Sequence, residues 1–475
     1  MKQIRKNIRR IAICLCALMV LLAAYGAYSI ATYGNRWFSS SANTLARSKK
    51  KNVFACDILD RNGQMLATTK DGQRVYQEDA AARGAVVHVL GDPGANVDNG
   101  AEAFLSTYLY GFKMSFLERL GYAIRGEARK GDTVQLTIDS RLATYAASIF
   151  PKGKAGALVV MNYKTGEIIT EQSFPNFDPM QITSAVRNHP QQPFINRAVQ
   201  ELNAPGSTFK IITAASALEN FKDAAARVYQ CTGQLQAGLR LITDAGTDLE
   251  AGKITSHGQL DMKRAFQVSC NNTFAHIALQ LGDAALRKTA ESFGFNDNFL
   301  FRDMVVYNSS YPTENRSEGE LAWTGAGQSA LTASPMHMCM IAAAVANDGV
   351  MMEPRLVRSV VSNLGNVRLE YSSRVYRKVM PEARAAVLQD YMRSVVTGGT
   401  GTGAAIAGVN VCGKTGSAEK DTQDNTNAWF VGYLDEDEAP YAIAVMVEDA
   451  GSGGSVAAPI ARKVFAWMLE NGYDD

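Results

Sequence analysis

Three short clusters of hydroxyl, amide and lysine side chains constrain this chain more than any other feature: Ser207-Thr-Phe-Lys210, Ser269-Cys-Asn271 and Lys414-Thr-Gly-Ser417. They can act together only if a helix start, a second helix and a late strand converge on one point. Ser207 and Lys210 are three apart, and the apolar run from Phe209 to Leu218 after Pro205-Gly206 predicts a buried helix beginning at or near Ser207. Both side chains then share one face of its first turn. A serine hydroxyl is a poor nucleophile until a base removes its proton, and a lysine can do so only where desolvation or neighbouring cations keep it neutral. The pattern therefore implies acyl transfer through a serine ester.

Single motifs of this length recur by chance. Ser48-Lys-Lys-Lys51 also fits S-x-x-K, Ser41-Ala-Asn43 fits S-x-N, and Lys164-Thr-Gly166 is a second K-T-G between two strand-like runs, where a glycine turn is expected. Only the set at 207, 269 and 414 has the right order with helix, helix and strand contexts. Gly408-Val-Asn-Val-Cys-Gly-Lys-Thr415 matches the phosphate-cradling loop G-x-x-x-x-G-K-[ST] in full. That loop must follow a buried strand and open a helix. Here a polar glycine run precedes it, Val409-Asn-Val411 alternates like a strand, and no helical apolar period follows. Nucleotide hydrolysis is set aside on this ground.

With its three motifs the chain resembles the penicillin-recognising serine transferases and hydrolases, and most closely the class B penicillin-binding proteins. The resemblance extends over roughly residues 53 to 470, through Asp60-Arg-Asn-Gly63, Gly131 to Asp139, Ser173 to Pro179, Asn196-Arg-Ala, Gly398 to Gly403 and Ala428-Trp-Phe-Val-Gly432. It implies a peptidoglycan D,D-transpeptidase inhibited by β-lactams. In that family's roles Ser207 is the nucleophile and Lys210 its base. Ser269 and Asn271 assist proton transfer and hold the substrate amide, Lys414 supplies positive potential, and Thr415, Gly416 and Ser417 bind substrate. Backbone N–H groups of Ser207 and Ser417 would form the oxyanion hole. Two positions depart from the pattern: class B members more often carry threonine where Ser417 stands, and often histidine where Asn427 precedes Ala428-Trp429. A carboxypeptidase, a β-lactamase or a β-lactam sensor of the same fold is the alternative reading, and a non-enzymatic scaffold a further one that the intact trio disfavours. The implied partners are peptidoglycan stem peptides, β-lactams and a polytopic membrane glycosyltransferase of the shape-and-division family; no cofactor and no nucleic acid is expected.

A formal net charge of +2 with 47% hydrophobic residues excludes a disordered chain and a basic nucleic-acid binder. Residues 11–33 are uncharged and apolar, long enough to span a bilayer, and follow Lys2, Arg5, Lys6, Arg9 and Arg10. We read residues 1–10 as a cytoplasmic tail, 11–33 as a retained transmembrane helix, 34–150 as a pedestal module and 151–475 as the catalytic domain. Lysines and arginines on both sides of the span weaken the positive-inside argument, so the extracytoplasmic placement of the bulk rests on the family resemblance. Cys56, Cys231, Cys270, Cys339 and Cys412 lack C-x-x-C spacing, so neither a zinc nor a redox site follows, and Cys270 and Cys412 read as small buried side chains; a disulfide involving Cys231 stays open. The fold expected is α+β: an antiparallel sheet flanked by helices on both faces, with a helical subdomain carrying Ser269 and Asn271. Its strands are placed at 155–161, 167–173, 409–417, 428–434 and 441–448, with a closing helix over 459–470.

Overall fold

The computed structural model describes residues 2–38, 53–314, 316–419 and 426–473. The decoys at 41–43 and 48–51 lie outside them. The N-terminal helix Lys2–Phe38 contains a stretch, Gln3–Ile30, long and apolar enough to cross a membrane.

Five strands form the central sheet: β1 (Gly156–Asn162), β2 (Ile168–Phe174), β3 (Val411–Glu419), β4 (Thr426–Leu434) and β5 (Tyr441–Val447). Their order is β3-β4-β5-β1-β2, antiparallel throughout. Residues alternate between two cores, as the two-residue period of a strand requires. Trp429, Val431 and Tyr433 of β4 and Ala442, Ala444 and Met446 of β5 join one core. Phe430 and Leu434 of β4 and Ile443, Val445 and Val447 of β5 join the other. Because both faces are covered, these strands read as continuous apolar runs. Each large side chain so buried contributes about 1.5–3 kcal/mol.

Four helices fix the layers: α1 (Lys210–Asn220), α2 (Asn271–Ser292), α3 (Pro335–Ala346) and α4 (Ala457–Glu470). Helix α3 packs across β1, β4 and β5 on the first face, and its sequence is apolar all round because it is buried on every side. Helix α4 and the helix Ser140–Ile149 cover the opposite face. A hairpin turn at 435–440 joins β4 to β5, and the late strands sit within two residues of their expected bounds. Lys164-Thr-Gly166 is the turn between β1 and β2; Gly166 has φ of 80°, and a Cβ there would lie 2.2 Å from the Glu353 carbonyl oxygen. The helical middle also holds two short strand pairs, Val228–Cys231 with Gly258–Asp261 and Gln234–Ala237 with Arg240–Thr243. These four-residue strands are half exposed and too short for periodicity to announce them.

A second, six-stranded sheet lies N-terminal to the first. Ile58–Leu59, Met65–Lys70, Gln73–Tyr76 and Thr133–Leu136 supply four strands, and Val357–Val361 with Val367–Glu370 complete it from far along the chain.

Candidate active site

A four-residue turn of 3-10 helix, Gly206–Phe209, leads directly into α1, so Ser207 stands at the mouth of the helix and Lys210 opens it. The turn lies against edge strand β3 because glycines let the two backbones meet. A Cβ on Gly416 would lie 2.9 Å from the Pro205 carbonyl oxygen, and one on Gly206 3.0 Å from that of Ser417. Gly206 also has a φ of 56°, which favours glycine.

Lys210 Nζ donates to Ser207 Oγ at 2.8 Å, to Asn271 Oδ1 at 2.7 Å, to the Ser269 carbonyl oxygen at 2.9 Å and lies 3.3 Å from Ser269 Oγ. Lys414 Nζ reaches the same Ser269 Oγ at 2.9 Å and the Thr415 carbonyl oxygen at 3.0 Å. Ser269 therefore sits between two lysines. It occupies the turn between Met262–Gln267 and α2 rather than a helix, with φ of 59°, a left-handed conformation that costs a serine of order 1 kcal/mol. Asn271 is the first residue of α2.

Both lysine side chains are fully buried while Ser207 stays partly open to solvent. Aromatic rings line their path: Phe274 lies 5.7 Å from Lys210 Nζ and Phe266 lies 5.6 Å from Lys414 Nζ. Desolvation disfavours the ammonium form. It lowers Lys210 from 10.5 to about 8, and it holds Lys414 well below its ordinary value, with the Lys210 cation pushing the same way. Among the described residues, no carboxylate hydrogen-bonds to Ser207, Ser269, Lys210 or Lys414. Glu448 is engaged with Arg197 at 2.8 Å, and Glu419 is exposed at the end of β3.

The remaining sequence-selected residues lie along β3. Thr415 shares a hydrogen bond with Thr400 through their hydroxyls at 2.6 Å, and Ser417 is exposed, its Oγ accepting from the Gly453 N–H at 3.3 Å. Gln328 Nε2 donates to the Ser417 carbonyl oxygen at 3.3 Å. That carbonyl thus points away from β4, and in a pleated strand the N–H of the same residue points with it, toward the nucleophile turn. Thr400 and Gln328 fall outside the three motifs; Thr400 lies in the glycine run noted above, whereas no local signal marks Gln328. Asn427 donates to Asn203 Oδ1 at 3.1 Å and accepts from the Asp449 N–H at 3.2 Å, which ties β4 to neighbouring loops. Lys414 and Thr415 lie inside a nine-residue paired strand, where the phosphate loop would have to open a helix, which removes the phosphate-loop reading. Cys412 and Cys339 are buried, and Cys231 is a free thiol. Behind Asn271, Cys231, Asp244, His257 and Cys270 form a group whose donor atoms could hold a metal ion.

The profile of the family described as "Penicillin binding protein transpeptidase domain" matches residues 156–466. The chain is 30% identical to peptidoglycan D,D-transpeptidase PbpA of Mycolicibacterium smegmatis over 506 aligned positions, covering 98% of this chain and 99% of that one. Stage V sporulation protein D of Bacillus subtilis is 29% identical over 79% of this chain and 61% of its own. Among solved structures, penicillin-binding protein A of M. tuberculosis, an imipenem acyl-enzyme complex, superposes with a TM-score of 0.78 at 26% identity, covering 88% of this chain and 100% of that one. The D,D-transpeptidase domain of a peptidoglycan glycosyltransferase from Eggerthella lenta gives 0.76 at 29% identity, over 88% and 99%.

Proposed function

We propose that this chain, which belongs to the penicillin-binding protein transpeptidase family, is a class B peptidoglycan D,D-transpeptidase acting through an ester on Ser207. The observation that carries this reading is the 2.8 Å contact of Ser207 Oγ with a Lys210 amine whose burial brings it to about 8. Such an amine is neutral often enough at physiological pH to accept the serine proton.

Ser207 Oγ attacks the carbonyl carbon between two terminal D-alanines of a stem peptide while its proton passes to Lys210 Nζ. The tetrahedral oxyanion is met by the backbone N–H groups of Ser207 and Ser417, an arrangement worth about 3 kcal/mol per donor in other acyl-transfer enzymes. The C–N bond then breaks. Ser269, between the two lysines, relays a proton to the departing D-alanine nitrogen, and the ester remains on Ser207. An amine from a neighbouring stem attacks that ester, loses its proton to Lys210, and forms the new amide as Ser207 recovers its hydrogen. Asn271 holds Lys210 and the substrate amide, and Lys414, Thr415 and Ser417 meet the substrate carboxylate. β-Lactams stop the cycle by acylating Ser207.

In this reading residues 11–33 cross the cytoplasmic membrane and residues 34–475 lie outside it. The N-terminal module raises the site toward the wall and docks a polytopic membrane glycosyltransferase of the shape-and-division family. The absence of a carboxylate beside Ser207, among the described residues, supports resolution by amines over hydrolysis. With a thioester donor, added D-amino acids are expected to divert product from free acid to the aminolysis adduct. Predominance of free acid at high acceptor concentration, with the partner present, would replace this assignment with a carboxypeptidase.

A further inference from the structure

We propose that Cys231, Asp244, His257 and Cys270 form a closed tetrahedral zinc site that clamps the Ser269-Cys270-Asn271 turn against Lys210. Their four donor atoms all lie within 4.8 Å of one another. Cys231 Sγ is 2.9 Å from Asp244 Oδ2 and 3.5 Å from His257 Nδ1, His257 Nδ1 is 3.2 Å from Asp244 Oδ2, and Cys270 Sγ is 3.4 Å from that same oxygen. A tetrahedron with zinc bonds of about 2.0–2.3 Å has edges of roughly 3.3–3.8 Å. Three of these four edges lie within about 0.2 Å of that range and the other two of the six stay within 4.8 Å, so the cage closes on a zinc ion with side-chain adjustments of up to about 1 Å.

The chemistry of the set points the same way. Two thiols, an imidazole and a carboxylate turned onto one point are the donor types that select zinc among the common divalent ions of a cell. With protons alone, two thiols and an imidazole crowd a single oxygen, Asp244 Oδ2. Zinc relieves this by binding both thiolates, the His257 Nδ1 lone pair and the carboxylate, releasing the two thiol protons to solvent. Both cysteines are fully buried and Asp244 is 2% exposed, while His257, at 23% side-chain exposure, offers the route in.

Backbone donors hold the ligand atoms in place. Asp244 Oδ1 accepts from the backbone N–H of Asn271 at 2.5 Å and of Asn272 at 3.2 Å, at the start of α2. Cys270 Sγ accepts from the Thr273 N–H at 3.3 Å and Cys231 Sγ from the His257 N–H at 3.5 Å. Outer-shell donors of this kind orient ligands and tune the metal. Four protein ligands leave no open coordination position, so the ion is structural and not a reactant. Its effect reaches the reaction through position. Cys270 is the middle residue of the turn; Asn271, beside it, accepts from Lys210 Nζ at 2.7 Å and donates to the Thr243 carbonyl oxygen at 3.0 Å. The four ligands at 231, 244, 257 and 270 are far apart in sequence, which is why cysteine spacing gives no sign of them.

The test is metal content, which does not depend on the transpeptidase reading. Full-length chain purified in detergent from zinc-replete cells is expected to carry about one zinc per chain by mass spectrometry. Its zinc-edge absorption should fit two sulfur neighbours at about 2.3 Å and two lighter ones at about 2.0 Å. Cys231→Ser and His257→Ala should each bring metal to background, whereas Cys56→Ser, outside the cluster, should keep it. If those variants fail to fold, chelation of the wild-type chain supplies the readout: zinc leaves, Cys231 and Cys270 become open to maleimide, penicillin acylation slows, and one equivalent of zinc reverses all three. Metal well below one per chain, metal retained in folded Cys231→Ser or His257→Ala, or a Cys231–Cys270 disulfide would overturn the proposal.

Discussion

Two lysines of identical chemistry meet one serine, Ser269, and their surroundings assign them different work. In the proposed mechanism Lys210, which touches the nucleophile, must become neutral, whereas Lys414 does not touch it and acts through its place beside Ser269. Ser207→Ala is expected to abolish covalent labelling by fluorescent penicillin. Lys210→Arg should slow acylation by a factor of 10² or more, since arginine does not give up its proton in a protein. Lys414→Arg keeps a hydrogen-bond donor toward Ser269 and suffers the misfit of a larger group in a fully buried slot, about tenfold. Equal loss in the two arginine variants would refute this division. The same assignment fixes a pH profile. With Lys210 lowered to about 8, the neutral amine is about a tenth of the population at pH 7 and dominates above pH 9. The acylation rate should therefore rise with pH through about 8 and then level off; a flat profile from about pH 6 to 9 would count against Lys210 as base.

At the scale of elements, the site is the meeting of a helix start, a turn and an edge strand, and glycine sets how closely they meet. Gly416 has three neighbours within 3.2 Å of where a Cβ would stand, the nearest a backbone oxygen at 2.9 Å. Gly416→Ala should push β3 off the Gly206–Phe209 turn, cost roughly 1–3 kcal/mol of stability and slow acylation about tenfold or more. Gly408 has φ of 76° with open space around it. Gly408→Ala should cost about 1–2 kcal/mol through backbone conformation alone and leave acylation unchanged. Thermal melts paired with acylation rates separate the two cases; parallel losses in both would show that spacing of the elements is not what Gly416 provides.

At the scale of the molecule, a long apolar helix precedes the five- and six-stranded sheets, and the six-stranded sheet takes two strands from residues 357–370. Residues 53–136 are thereby stitched to residues 357–370 through backbone ladders. External protease on intact spheroplasts is expected to digest nearly the whole chain and leave a short membrane-bound stub. Protection of the catalytic domain, or release of a chain starting near residue 30, would overturn the orientation proposed.

The sequence by itself determined the sheet-and-helix class, the bounds of the five central strands to within two residues, and the candidate set from Ser207 to Ser417. Those features are local: apolar runs long enough to show a period, a glycine-proline entry to a helix, motifs whose spacing is one turn. It did not show the short strand pairs between 228 and 261, where four half-exposed residues carry too little pattern, nor the left-handed turn at Ser269. Only the tertiary structure set Gln328 on the Ser417 carbonyl, laid Phe266 and Phe274 beside the lysines, and gathered Cys231, Asp244, His257 and Cys270 into one cluster. Each of these depends on groups that only packing brings together, and desolvation, which decides whether Lys210 can be a base, is a property of the enclosed site and of no residue in it alone.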